Sequence, residues 1–101
     1  MNITPGTKDV RLANLHAVVT GEQEVNVYDD KVRPDELVYI ESNLDAAVYF
    51  MEVVTDYLDA CEAYQGRPNQ TTEGRMSACF LSLPPYYQST ALSRAKARGL
   101  V

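Results

Sequence analysis

Between Pro34 and Gly66 the chain has no glycine or proline, and every charged side chain there is an acid. This stretch constrains the fold more than any other. Pro34 suits a first helical position, where a missing N–H costs nothing. Asp35 and Glu36 follow in the first turn, where carboxylates favour the positive end of the helix dipole. Val32 and Leu37 stand at the spacing of a hydrophobic staple. Gly66 is a natural left-handed C′ residue, and Pro68 blocks continuation. The spacing therefore predicts one helix over residues 34–65, about 48 Å long at 1.5 Å per residue. A weak capping box at Ser42 and Asp45 offers an alternative break near Glu41–Asn43.

Leu37, Ile40, Leu44, Ala47, Met51, Val54, Leu58 and Cys61 follow alternating steps of three and four, a heptad seam. Phe50, Tyr57 and Tyr64 widen one flank. Glu41, Asp45, Glu52, Asp56 and Asp59 fall within about 60° of one another on a helical projection, a narrow acidic stripe. Beyond it lie Tyr39, Ala46, Tyr49, Val53 and Ala60, on the side away from the seam. A helix apolar over roughly two-thirds of its circumference is buried on more than one side. One reading makes it the core helix of a bundle. The other packs one apolar face inside the chain and offers the second to another copy or a partner, with Tyr39, Tyr49 and Val53 as interface residues.

At 101 residues the chain is expected to be one domain, spanning 1–101, with enough surface burial for a core without staples. The net charge of −5 is unevenly spread. Asp35, Glu36, Glu41, Asp45, Glu52, Asp56, Asp59 and Glu62 have no base among them, whereas after Glu73 come only bases: Arg75, Arg94, Lys96 and Arg98. Two cysteines and one histidine make no recognisable zinc site, so neither metal nor cofactor is expected. Met1–Thr20 lacks the apolar core of a signal peptide, and nothing reaches transmembrane length. The expected setting is cytoplasmic with reduced thiols, or the host cytoplasm for a phage-encoded protein.

Residues 1–6 carry turn chemistry and are expected to be a flexible N-terminus. Thr7 can cap a helix over 8–20 carrying Leu12, Leu15, Val18 and Val19, with Gly21 as its stop. His16 sits among these as a packing or surface residue. Val25 and Val27 alternate with polar neighbours, and Tyr28 follows. With no partner strand in view, residues 22–32 favour an extended linker or a helical extension over a sheet. Residues 66–72 form a polar loop. Thr71 or Thr72 can cap a helix over 72–83, and Pro85 can open another running to Arg98. In that last helix Tyr87, Ala91, Leu92 and Ala95 face inward, Gly99 is the C′ residue, and Leu100 folds back onto Ala95. The expected fold is thus an all-α, four-helix domain built around the 34–65 helix and pairing as a homodimer.

The chain carries no phosphate loop, nucleophile elbow, HExxH or dinucleotide fingerprint, and no catalytic residue is assigned. The expectation is a non-enzymatic protein–protein interaction module without a membrane role, one that modulates or inhibits another macromolecule. Small domains of this kind serve as inhibitors, antitoxins, adaptors and phage accessory proteins. Glu52, Asp56 and Asp59 would steer a basic partner. The alternative is a nucleic-acid regulator using Arg94, Lys96 and Arg98. A sequence pI near 4.7 weighs against it, because net repulsion from phosphate opposes binding.

Overall fold

The computed structural model describes residues 9–101 and, in element order, places four strands before three helices. The fold is α+β, which overturns the all-α four-helix expectation. The chain divides into two compact units, one ending at Glu52 and the other beginning at Val53. The expectation for residues 1–6 falls outside the described residues.

In the first unit, β1 (Asp9–Leu12), β2 (Leu15–Gly21), β3 (Glu24–Asp29) and β4 (Arg33–Glu41) form an antiparallel meander in sequence order. The β1–β2 link is Ala13-Asn14, with Leu12 opposite Leu15. Ala13 adopts φ 55°, a left-handed conformation that favours glycine in tight hairpin links. The β2–β3 link is Glu22-Gln23, closed by Gly21 opposite Glu24. Between β3 and β4 the Asp29 carboxylate accepts from the Lys31 N–H at 3.1 Å, an Asx turn.

Strand alternation separates two faces. Leu15, Ala17 and Val19 of β2 and Val25 and Val27 of β3 are buried on one. Tyr39, opposite Val27, shares this face and stacks on Phe50 with ring centroids 4.7 Å apart. On the other face lie Arg11, His16 and Tyr28, in register with one another and with Leu37. Leu37 and Ile40 there are about half exposed, at 46% and 50%.

From Asp9 onward, the segments read as a helix over 8–20 and as an extended linker or helical extension over 22–32 are therefore β1 to β3 and their turns. The apolar spacing of Leu12, Leu15, Val18 and Val19 fits a helix, but Leu15, Ala17 and Val19 equally fit a strand. Pairing with Val25 and Val27, a non-local event, decides between them. The first eight residues of the expected long helix, 34–41, are also strand. Their misleading feature is the three-residue step from Leu37 to Ile40, which in a regular strand would put the two on opposite faces. A register shift between Val27 and Tyr28 lets Leu37, Val38 and Tyr39 span one step of β3. The bulge restores both side chains to one face and so imitates a helical repeat.

The α1 helix (Leu44–Gly66) begins where the sequence offered its alternative break. Asn43, rather than Ser42, caps it: its side-chain oxygen accepts from the Ala46 N–H at 2.8 Å. From Ala47 onward the heptad reading holds, since Ala47, Met51, Val54, Leu58 and Cys61 are all fully buried.

The second unit holds the rest of α1 with α2 (Gln70–Ser82) and α3 (Pro85–Ala97). Asn69 caps α2 in a reciprocal box with Thr72, so the helix starts two residues before the expected 72. Tyr57 of α1 meets Phe80 of α2 at 5.4 Å. Tyr87, Ala91 and Ala95 of α3 are buried, as their spacing predicts, while Leu92 is half-buried. Gly99 at φ 74° closes α3. Its N–H reaches Lys96 O at 3.0 Å and the Leu100 N–H reaches Ala95 O at 2.8 Å, the bond pair of a Schellman cap. The Gln65 side-chain amide donates to Gly99 O at 2.7 Å. No helix among the described residues is long and apolar enough to cross a membrane.

Candidate interaction surfaces

The three expected interface residues do not share one helix face. Tyr39 lies on β4, half-buried against Phe50, because residues 33–41 are strand. Tyr49 and Val53 are on α1, one turn apart; Tyr49 is 47% exposed and Val53 half-buried. A dimer face built on all three therefore loses its geometric basis.

Glu52, Asp56 and Asp59 are exposed on successive turns of α1. The ion pairs of Arg11 with Asp9 and Asp30 and of His16 with Asp30 lie in the first unit, and none of Glu52, Asp56 and Asp59 takes part in them. The helix carries no base in its last turn. Glu52, Asp56 and Asp59 thus face solvent without a cationic neighbour on the same element.

Two grooves flank α2, which has no buried residue despite its apolar side chains. The larger, about 420 Å³, is lined by Tyr57, Met76, Ser77, Phe80, Leu81 and Leu92. Leu81 at its wall is 76% exposed. The smaller, about 220 Å³, is lined by Val53, Asp56, Ala78, Cys79, Ser82 and Leu83. Asp56 thus belongs both to the acidic series and to a groove wall. Sequence periodicity could not find either groove. Each depends on how far α2 stands from its neighbours.

Beneath α2, burial pushes the Tyr57 phenol well above its usual range, helped by its hydrogen bond to the Cys61 side chain. Burial likewise raises the Cys61 thiol. The Tyr57 bond works in the opposite direction, and the nearby Cys79 adds to the rise. A protonated, fully buried thiol is a packing group rather than a nucleophile.

The bases named for nucleic acid do not form a patch. Arg94 lies on the buried side of α3, only 7% exposed. Lys96 is exposed, and Arg98 is the half-buried C-cap residue.

One cluster escaped the sequence reading. The Asp30 carboxylate accepts from Arg11 Nη1 at 2.7 Å and pairs with His16 Nδ1 at 2.9 Å. The Asp30 N–H donates to Asn14 O at 2.8 Å. His16, 9% exposed, stacks on Tyr28 at 5.2 Å, and the Asn26 side-chain amide donates to the Tyr28 hydroxyl at 3.2 Å. One carboxylate shared by two basic groups is committed to holding strand ends together. The missed signal was the β2 alternation, which puts His16 beside Val18 and Thr20 and opposite Leu15, Ala17 and Val19. Among the described residues no group of three or more His, Cys, Asp or Glu side chains could hold a metal ion. Comparison with known proteins finds no matching family model, no matching curated protein and no matching solved structure.

Proposed function

We propose that this chain is a protein–protein interaction module that binds a basic surface of another macromolecule and so modulates it, in a cytoplasmic setting. The observation that carries the reading is the exposed run of Glu52, Asp56 and Asp59 on α1, with no ion pair to any of them among the described residues. Charges left unneutralised in the folded chain accelerate encounter with an oppositely charged surface and select against acidic ones. Tyr49, about half exposed on the same helix, is the aromatic anchor beside them. The grooves along α2 supply apolar surface that a partner's side chains can occupy.

The test pairs the native chain with a Glu52→Lys/Asp56→Lys variant as bait in a nuclease-treated lysate, followed by affinity measurement on the recovered partner. Both sites are exposed, so the variant is expected to fold with an unchanged circular dichroism spectrum. The expected result is a partner held by the native chain, lost by the variant, with association that slows as salt rises. Equal affinity for both baits would remove the acidic run from the mechanism.

A further inference from the structure

We propose that the smaller groove receives a lysine side chain of the basic partner. The groove lies in the second unit between α1 and α2, and its walls are Val53, Ala78, Cys79 and Leu83, with Ser82 and Asp56 as its polar members. This deepens the reading above and rests on it for the identity of the partner, though not for the existence of the site.

Size decides the first point. At about 220 Å³ the groove falls below the roughly 300 Å³ at which pockets for whole small molecules begin. It fits one long side chain rather than a helix or an aromatic pair. Ala78 and Ser82, one turn apart on α2, keep it open; longer side chains at either position would fill it. Chemistry decides the second point. Four of the six lining residues are apolar or weakly polar, which suits a methylene stem laid along them. Asp56 is the one charged lining residue and makes no ion pair among the described residues. Asp59 stands one turn further along α1, also exposed, and extends the negative potential past the groove. A stem that ends in a positive charge satisfies both features at once.

Lysine fits better than arginine. The guanidinium carries five donors in a planar fork and is best matched by a bidentate carboxylate with further acceptors around it. The lining here provides one carboxylate and one hydroxyl, from Asp56 and Ser82. An ammonium has three rotatable donors and can use these two plus water.

The experiment needs no partner. Nα-acetyl-lysine N-methylamide is titrated into the 15N-labelled full chain, and backbone amide shifts are followed. The matched controls are the norleucine analogue, which keeps a four-carbon stem but lacks the ammonium, and the arginine analogue. The expected result is saturable millimolar binding with shifts centred on residues 53–56 and 78–83. It should be weakened about fivefold by Asp56→Asn, the size of one exposed ion pair. Ala78→Leu should also abolish it, by filling the groove without touching the charge. Equal binding of norleucine would assign the groove to an apolar occupant and overturn the proposal, as would tighter binding of arginine. Shifts spread evenly over all exposed acids, or unchanged by Asp56→Asn, would do the same. The same amides moving with protein concentration alone would assign the groove to a second copy. Probe binding without an effect of charge reversal on the captured partner would sink the proposed function and leave the groove. Loss of the partner without probe binding would do the reverse.

Discussion

Asp30→Ala should be among the most damaging single changes outside the apolar core. The carboxylate takes two hydrogen bonds, from Arg11 at 2.7 Å and His16 at 2.9 Å. The two arms differ in value because their surroundings differ. The Arg11 side chain is 63% exposed, so that arm contributes no more than about 1 kcal/mol. The His16 side chain is only 11% exposed, and a hydrogen bond to a charged group in such a place is worth about 1.5–3 kcal/mol. Loss of both arms, with the His16 Nδ1–H left short of an acceptor, should cost about 2–3 kcal/mol. That is a large share of the roughly 5–15 kcal/mol that holds a domain folded. Asp30→Asn keeps one acceptor oxygen and should cost about half as much, and Arg11→Ala less than about 1 kcal/mol. Urea titration followed by far-ultraviolet circular dichroism measures all three, since the chain has no tryptophan. A double-mutant cycle between Arg11 and Asp30 isolates their pairing. A cost below about 0.5 kcal/mol for Asp30→Ala, or no coupling to Arg11, would refute the strand-end tie. It would also favour a helix over residues 8–20, in which the two side chains have no reason to meet.

Two further predictions concern the helices. Asn43→Ala removes the acceptor for the Ala46 N–H and should cost about 1 kcal/mol in the same titration, whereas Ser42→Ala should be near neutral. A reversed order would move the helix start back to Ser42. Cys61 gives a pH dependence with a definite sign. Its thiol is raised in the folded chain, while the unfolded thiol ionises near about 8.5. Above that value the unfolded chain releases a proton that the folded chain retains. The contribution is therefore complete below about pH 8.5 and is lost as pH climbs toward the folded value. The destabilisation caused by Cys61→Ala should consequently shrink between mildly alkaline and strongly alkaline pH; a constant difference would mean that the buried thiol is not raised.

The sequence by itself determined the local features, which depend on neighbours within a turn or two. The seam from Ala47 to Cys61 is buried as its spacing requires, because a helical face repeats every three or four residues wherever the helix packs. Pro85 opens α3, and Gly99 with Leu100 closes it, because caps are satisfied by backbone groups only a few residues away. The carboxylates Glu52, Asp56 and Asp59 share an exposed side of α1 for the same reason.

Only the tertiary structure decided residues 9–41. Leu15-Ala17-Val19 and Val25-Val27 become the inner face of one sheet when they pair, and the β1–β2 and β2–β3 links, Ala13-Asn14 and Glu22-Gln23, carry no Asn-Gly or Asp-Gly signature. A bulge gave Leu37 and Ile40 the three-residue step of a helix on the face of a strand. That moved Tyr39 from a supposed helical interface onto Phe50. The tie of Arg11, His16 and Asp30 joins β1, β2 and the β3–β4 turn, and the groove beside Asp56 needs two helices. Each joins residues that are far apart in sequence. Strand pairing and helix separation are set by the closing of long loops against buried area, quantities that no short window of residues contains.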